Sequence, residues 1–284
     1  MFKNYLRKVI QFPLKIILSI GNLYSKILYR IDSYGSEKCW EEMLIKKINN
    51  ETFANITQPQ VTRSNEFHKN LKNIKFYTPN RIANFRARTN LIKEKSTIIW
   101  MEEYGSNKKT FFDIGANIGN YSLCYTAMFN SKVYAFEPSF KNLDLLKKNI
   151  LLNNFQSKII IVPNVLSSDF QECKFDQIND EYAAATSTII SSSADSKSYY
   201  KTISLSIDAL VLRNVIDFPQ LIKIDVDGNE LRILQNLQHN TLKNCESISI
   251  EVDKENLKEV EEILKNKNFF LKNSSGPNQI WDKK

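Results

Sequence analysis

Short apolar runs alternate with amphipathic segments along the second half of this 284-residue chain. The apolar runs that predict parallel strands are residues 110–114, 133–136, 158–163, 221–226 and 247–252. Segments with helical spacing lie between them, and two shorter runs at 269–271 and 279–281 predict a closing antiparallel hairpin. The alternation predicts an α/β fold, in which helices cover both faces of one doubly wound, seven-stranded sheet.

Two parts of the chain depart from this alternation. Residues 164–207 contain short β-like pieces around a Ser/Thr/Ala-rich stretch, 183–198, which predicts either a flexible loop or a lid over a binding site. Residues 1–84 predict a basic, helical N-terminal extension or cap, which precedes the main domain at residues 85–284.

The extension begins with 31 residues that combine Ile, Leu and Val clusters with six Lys or Arg and no acid. Its longest uncharged stretch, residues 16–25, is too short to span a bilayer. We predict a basic amphipathic helix that either makes a peripheral membrane contact or packs on a partner or its own domain. Residues 1–110 as a whole hold 20 Lys and Arg against 9 Asp and Glu, and such segments attract nucleic acid or anionic membranes.

The most informative stretch is residues 112–119, where an apolar run ends in an acid and two glycines. Asp113, Gly115, Asn117 and Gly119 lie between a predicted strand and a predicted helix, an arrangement that brings backbone amides close to a nucleotide-like ligand. The next strand ends at Glu137, where an acid can accept hydrogen bonds from a ribose diol. Together these residues predict a pocket for an adenosine-bearing cofactor.

The glycine spacing distinguishes between such cofactors. Dinucleotide sites carry G-x-G-x-x-G beside a diphosphate, whereas this chain has Asp-x-Gly-x-Asn-x-Gly. The Asp113 carboxylate would repel a diphosphate but suits the cationic amino-acid end of S-adenosylmethionine. We therefore predict S-adenosylmethionine as the cofactor, and an NAD-dependent oxidoreductase is disfavoured. The predicted cofactor-binding residues are Asp113, Gly115, Asn117, Gly119 and Glu137.

Charged side chains gather at the end of strand 221–226. Strand alternation places Lys223, Asp225 and Asp227 on one face, which is costly for an interior strand unless a site uses them. We predict that Asp225 is the base or the orienter of a methyl acceptor and that Lys223 keeps this carboxylate ionised or stabilises an alkoxide. Glu251, at the end of the next strand, is a second acid at the same edge. Glu230 either serves this site or caps the following helix.

Other chemistries at this edge are less favoured. The acids supply oxygen ligands, so Mg²⁺ is possible, but it is not favoured and no metal ligand is assigned. His68 and His239 do not lie at predicted strand ends, which disfavours a histidine base. The four cysteines form no C-x-x-C pair, which indicates reduced thiols in a cytoplasmic protein and no zinc site.

Three motifs resemble those of FkbM-type methyltransferases: FDIGANIG at 112–119, AFEP at 135–138 and IKIDVDGNEL at 222–231. Where the family usually has Glu, this chain has Asp227, whose side chain is one methylene shorter. The resemblance covers about residues 85–282. It implies a class I, Rossmann-like methyltransferase fold and methyl transfer to a hydroxyl, often of a sugar, glycan or secondary metabolite.

Two alternative functions are weighed against this one. A nucleic-acid methyltransferase would suit the basic N-terminal third. However, methylation of an exocyclic base amine uses Asn/Asp-Pro-Pro-aromatic after the fourth strand, where this chain has Asp-Val-Asp-Gly. A non-catalytic cofactor-binding protein, docked through its basic N-terminus, is disfavoured by the charged face of strand 221–226. The favoured partner is a small-molecule or glycan acceptor.

Overall fold

The computed structural model describes residues 53–55, 71, 73–177, 181–184, 187–190, 199–226 and 228–284. At 53–55, 90–93, 177, 187–190 and 239–240 it describes the backbone only. The chain divides into two compact units, Met1–Thr52 and Phe53–Lys284, and all described residues belong to the second. The predicted helix in residues 1–31, His68, Asp227 and much of the stretch 183–198 lie outside the described residues. The predicted domain boundary between residues 84 and 85 stays a prediction.

The elements of the second unit follow one another in an α/β order. The first are β1 (Phe53–Asn55), β2 (Lys75–Tyr77), α1 (Arg81–Lys93) and α2 (Lys95–Tyr104). Next come β3 (Phe111–Ile114), α3 (Asn120–Phe129), β4 (Val133–Phe136), α4 (Phe140–Leu152) and β5 (Ile159–Val162). An insertion contains β6 (Val165–Leu166), β7 (Glu172–Gln177), β8 (Ser187–Ile190) and β9 (Tyr199–Leu205). The last are α5 (Ile207–Leu212), β10 (Leu221–Ile224), α6 (Glu230–Asn236), α7 (His239–Leu242), β11 (Ser247–Glu251), α8 (Leu257–Asn266), β12 (Phe269–Ser275) and β13 (Asn278–Lys283).

The central sheet has seven strands in the order β12-β13-β11-β10-β3-β4-β5. Strands β3, β4, β5, β10 and β11 pair in parallel, and β13 runs antiparallel to both of its neighbours. The chain runs outward from β3 to β5, then returns to β10 on the other side of β3, so the strand order reverses between β3 and β10. This topology confirms the predicted doubly wound fold and its closing hairpin. In such sheets, ligands bind outside the carboxyl ends of the strands at this reversal.

Apolar strands bury the sheet on both faces. Every residue of β3 and β10 is buried, and strand alternation sends Phe111 and Phe112 into two different core clusters. Burial of an aromatic side chain of this size contributes about 1.5–3 kcal/mol. Asp113 in β3 and Lys223 in β10 are the charged residues of these two strands, so each needs a partner of opposite charge or a hydrogen bond.

The elements before β3 pack on this core as a further layer. The Trp100 indole in α2 donates to the Ser247 hydroxyl at the start of β11, at 2.8 Å. The Tyr77 backbone N–H in β2 donates to Asn149 Oδ1 in α4, at 2.7 Å. These contacts hold α2 against the central sheet and β2 against α4, and α1 lies between β2 and α2 in the chain. No helix in the described part of the chain has the length and hydropathy needed to cross a membrane.

The insertion forms a second sheet with the order β6-β9-β7-β8. The β-like piece predicted around residues 174–175 lies in β7, and the piece predicted at 203–207 lies in β9 as far as Leu205, while Ile207 begins α5. Tyr200 in β9 donates its hydroxyl to the backbone oxygen of Pro138, at 2.9 Å, which ties the insertion to the loop after β4. The insertion therefore borders the carboxyl edge of the central sheet.

Candidate active site

A cavity lies at the carboxyl ends of β3, β4, β5 and β10, where the strand order reverses. Gly115 and Asn117 after β3, Glu137 after β4 and Asp225 after β10 all line it. Four residues predicted from the sequence therefore share one cavity. Among the described residues, Asp113, Gly119, Lys223 and Glu251 do not line it. Lining residues that the sequence analysis missed are Arg86, Asn142, Asn164, Val165, Leu166, Phe175, Ala184 and Arg232.

Gly115 is fixed by the protein itself. Its φ is +85°, and an added Cβ would lie 1.7 Å from the backbone oxygen of Asp225. Its N–H and that of Ala116 both donate to the Phe136 oxygen at 3.0 Å. The turn after β3 is therefore held against β4 and β10, and glycine is required where the backbones of the turn and β10 nearly touch.

We expect Gly115→Ala to lower the free energy of unfolding by about 1–3 kcal/mol, because the added methyl group must push two buried strand ends apart. Gly276 is the matched control, since its φ is also positive (+62°) but an added Cβ there meets open space. Urea denaturation of both variants measures the difference. Equal stabilities would contradict the close contact with Asp225.

Glu137 is buried with both carboxylate oxygens engaged. Oε2 accepts from the Asn117 N–H at 2.8 Å, and Oε1 accepts from the Ser139 N–H at 2.9 Å. Burial raises the pKa of this carboxyl to about 7, although the two N–H groups act to lower it. Oε1 also lies 3.4 Å from Asn142 Nδ2, whereas Oε2 keeps capacity for a second donor, which suits a ribose hydroxyl. Ser139 is the N-cap residue of α4, but its side chain makes no capping hydrogen bond.

Two further acceptors face the same cavity. Asn117 Oδ1 and Asn142 Oδ1 are buried and have no hydrogen-bond partner within the described structure. Both side chains donate their Nδ2 groups to the Ala184 oxygen, at 3.0 and 3.2 Å. Arg86 adds a guanidinium to the lining. The amide oxygens can accept hydrogen bonds from hydroxyl and ammonium groups, and the guanidinium can pair with a carboxylate. S-adenosylmethionine carries all three of these groups.

Asp113 lies deeper than the cavity. Its side chain is fully buried, and Oδ2 accepts from both the N–H and the hydroxyl of Ser122 in α3, at 2.9 and 2.6 Å. Burial raises the pKa of this carboxyl, and nearby Lys223 opposes the rise. The carboxylate thus anchors the first turn of α3. Gly119, with φ +91°, precedes that helix, and an added Cβ there would lie 2.6 Å from Leu146 Cδ1.

Lys223 and Asp225 form an ion pair at the end of β10. Lys223 Nζ lies 2.6 Å from Asp225 Oδ2, and the side chains are 3% and 27% exposed. Burial lowers the pKa of Lys223, but Asp225, Glu94 and Asp113 outweigh burial and raise it. The ammonium also lies 4.5 Å from the centre of the Tyr121 ring. The Asp225 carboxylate is therefore partly exposed, and it is paired with the buried, charged ammonium of Lys223.

Two more carboxylates lie beside Asp225. Oxygens of Glu94, Asp225 and Glu251 all lie within 4.8 Å of one another. Glu94, between α1 and α2, also accepts a hydrogen bond from the Tyr121 hydroxyl. The sequence analysis missed Glu94, because no motif or strand end distinguishes it from the polar residues around it. Three carboxylates could offer oxygen ligands to a divalent cation, and Lys223 already supplies one positive charge there.

Glu230 organises the loop after β10. Its carboxylate accepts from the Val226 N–H at 3.0 Å and from the Gly228 N–H at 3.0 and 3.2 Å. Burial raises the pKa of Glu230, while these N–H groups act to lower it. These N–H groups belong to the loop before α6, so Glu230 holds this loop in place.

The topology and the cavity at its reversal point are those of a class I methyltransferase. The methyltransferase FkbM domain family matches residues 113–271, more than half of the chain, and the chain belongs to this family. The chain therefore carries a methyltransferase FkbM domain, as the resemblance of its three motifs indicated.

Individual relatives are more distant. The hexuronic acid methyltransferase AglP of Haloferax volcanii is 29% identical over 160 residues, which are 56% of this chain and 62% of AglP, so less than two thirds of the relative is matched. The FkbM methyltransferase from Methylobacillus flagellatus KT is 15% identical, with a TM-score of 0.42 over 76% of this chain and 57% of its own. A ribosomal protein L11 methylase from Lactobacillus delbrueckii subsp. bulgaricus is 14% identical, with a TM-score of 0.43 over 66% and 76% of the two chains.

Proposed function

We propose that this methyltransferase acts on a hydroxyl of a sugar or glycan. The observation that carries the proposal is the Lys223–Asp225 ion pair beside the cofactor cavity, with the Glu94 and Glu251 carboxylates next to it. A hydroxyl acceptor must be aligned and must lose a proton, and carboxylates at this place can do both. The relative from Haloferax volcanii supports a sugar acceptor, since it is named a hexuronic acid methyltransferase.

In this proposal, Gly115, Asn117 and Glu137 contact the cofactor, and Arg86 faces its carboxylate. Asp113 and Gly119 contribute by fixing the turn and α3, because neither lines the cavity. When bound, S-adenosylmethionine supplies a methyl group on a positively charged sulfur.

The acceptor side depends on Asp225. Its carboxylate accepts the hydrogen bond of the acceptor hydroxyl and takes up the proton as the acceptor oxygen gains its methyl group. Lys223 keeps Asp225 ionised before the acceptor arrives. Glu251 and Glu94 provide further oxygens for neighbouring hydroxyls, of which a sugar ring offers several. Polyhydroxylated acceptors therefore suit this edge of the sheet.

We expect cofactor affinity to depend on pH through Glu137. The pKa of this carboxyl is raised to about 7 in the free protein, and donation from ribose hydroxyls favours the ionised form. Binding should therefore release a proton near and below pH 7, and affinity should fall by up to about tenfold per pH unit below the pKa and level off above it. Calorimetry with S-adenosylhomocysteine, the demethylated cofactor, measures this. Glu137→Gln should remove the dependence, and affinity that rises as the pH falls would contradict it.

The proposed activity is tested with S-adenosylmethionine labelled in its methyl group. The full chain is incubated with neutral sugars, hexuronic acids, mixed glycans and RNA, and the labelled products are treated with base. We expect label in a sugar as a base-stable ether. Base-labile label would indicate a methyl ester on a carboxylate, and label in RNA alone would indicate the nucleic-acid alternative, so either result would overturn the proposal.

A further inference from the structure

Helix α4 carries two buried asparagines on one face, seven residues apart. Asn149 uses both ends of its amide, since Nδ2 donates to the Ile118 oxygen at 2.8 Å and Oδ1 accepts from the Tyr77 N–H at 2.7 Å. Asn142 is only 3% exposed, yet its Oδ1 has no partner among the described residues. Buried acceptors are rarely left without a donor, so this atom requires an explanation.

The orientation of the Asn142 amide is fixed by its other end. Nδ2 lies 3.2 Å from the Ala184 oxygen and 3.4 Å from Glu137 Oε1. Turning the amide by 180° would place its oxygen against these two acceptors, so Nδ2 must face them and Oδ1 must face elsewhere. Asn142 lines the cavity beside Glu137, and Oδ1 is the end of its amide that no described residue contacts.

Ala184 is held in place independently of Asn142. It belongs to a strap, residues 181–184, that follows β7 in the chain and borders the cavity through Ala184. Asn80 Nδ2 donates to the Tyr182 oxygen at 3.0 Å, and Arg86 Nε donates to the Ala183 oxygen at 2.7 Å. Ala183 is buried at φ +64°, a conformation that needs such support in a residue other than glycine. The Ala184 carbonyl is thus a fixed acceptor for the Asn142 amide.

We propose that Asn142 binds the ribose of the cofactor: its Oδ1 accepts one hydroxyl while its Nδ2 positions Glu137 to accept the other. The proposal rests on the proposed cofactor site and adds a residue to it. A diol offers two donors, and each Glu137 oxygen already accepts one backbone N–H. A neutral amide acceptor beside the carboxylate gives the second hydroxyl its own partner, and the strap keeps the amide turned towards it.

The test compares Asn142→Leu with Asn149→Leu in the full chain. Asn142→Leu removes an unsatisfied oxygen, Ala184 keeps its bond from Asn117, and Glu137 Oε1 keeps its bond from the Ser139 N–H, so the Tm of the free protein should not fall. Asn149→Leu removes the hydrogen bonds to the Ile118 oxygen and from the Tyr77 N–H, so it should lower the Tm. The probes are S-adenosylhomocysteine and its 2′-deoxy and 3′-deoxy analogues, titrated by calorimetry.

We expect Asn142→Leu to weaken S-adenosylhomocysteine about tenfold, the value of one lost hydrogen bond, and to weaken one deoxy analogue far less. Asn149→Leu should leave the ratio between these ligands unchanged. Equal losses for all three ligands in Asn142→Leu, or no loss, would overturn the inference. Asn142→Ala gives the same comparison if the leucine does not fit. If Glu137→Ala also leaves the affinity for S-adenosylhomocysteine unchanged, the proposed cofactor site itself fails. If only the Asn142 substitution leaves the affinity unchanged, the site stands and this inference fails.

Discussion

Replacing Asp225 with Asn is expected to lower kcat for methyl transfer by about 10²–10⁴-fold, the usual cost of losing a general base or orienting group. The amide keeps the size of the side chain but cannot take up the proton of an acceptor hydroxyl. Lys223 would lose its partner at 2.6 Å, while Asp113 and Glu94 remain close enough to favour its charge. Because Asp225 acts on the acceptor in this proposal, affinity for S-adenosylmethionine should stay within a few fold.

Asp217→Asn is the matched control, since Asp217 forms an ion pair with Lys132 in which both partners are about half exposed. Steady-state rates with the sugar that accepts the methyl group report on turnover, and calorimetry reports on cofactor affinity. Near wild-type turnover in Asp225→Asn would make the ion pair a structural feature of β10. A large loss of cofactor affinity would instead place Asp225 on the cofactor side.

Glu137→Ala is expected to weaken S-adenosylmethionine binding by about 1.5–3 kcal/mol, or about 10–150-fold, because hydrogen bonds to a charged group are lost. The variant also removes the acceptor of the Asn117 and Ser139 N–H groups, so both its Tm and its cofactor affinity must be measured. Calorimetry is the direct measurement. Unchanged affinity in a folded variant, or tight NAD binding by the wild type with no response to S-adenosylmethionine, would contradict the assigned role.

Strand positions were predictable because the sheet is buried on both faces. Runs such as 133–136 and 221–226 are apolar where an interior parallel strand requires it, and the structure has β4 and β10 within them. The turn with Gly115 was predictable as well, since a positive φ and a close backbone approach leave a local signal in the sequence. The strand ends at Glu137 and Asp225 followed from the same pattern, and the structure brings both to one cavity.

What could not be predicted depends on contacts between distant segments. Glu94 meets Asp225 and Glu251 only through the packing of α1 and α2 on the sheet. The second sheet arises from a polar, Ser/Thr-rich segment whose strands lack a strong apolar alternation. Asp113 was predicted from spacing alone, which cannot distinguish a carboxylate facing the cavity from one turned towards Ser122 in α3.

The contact between Gly115 and Asp225 also limits how this enzyme can change. The Asp225 N–H donates to the Ile114 oxygen at 3.0 Å, and its own carbonyl leaves no room for a side chain on Gly115. A substitution that shifts the turn after β3, which we propose contacts the cofactor, must therefore also shift Asp225, the proposed base. Laboratory evolution towards new acceptors has its freedom elsewhere, in the insertion from β6 to β9 and in the segment around Glu94. No residue of these parts takes part in the contact between Gly115 and Asp225.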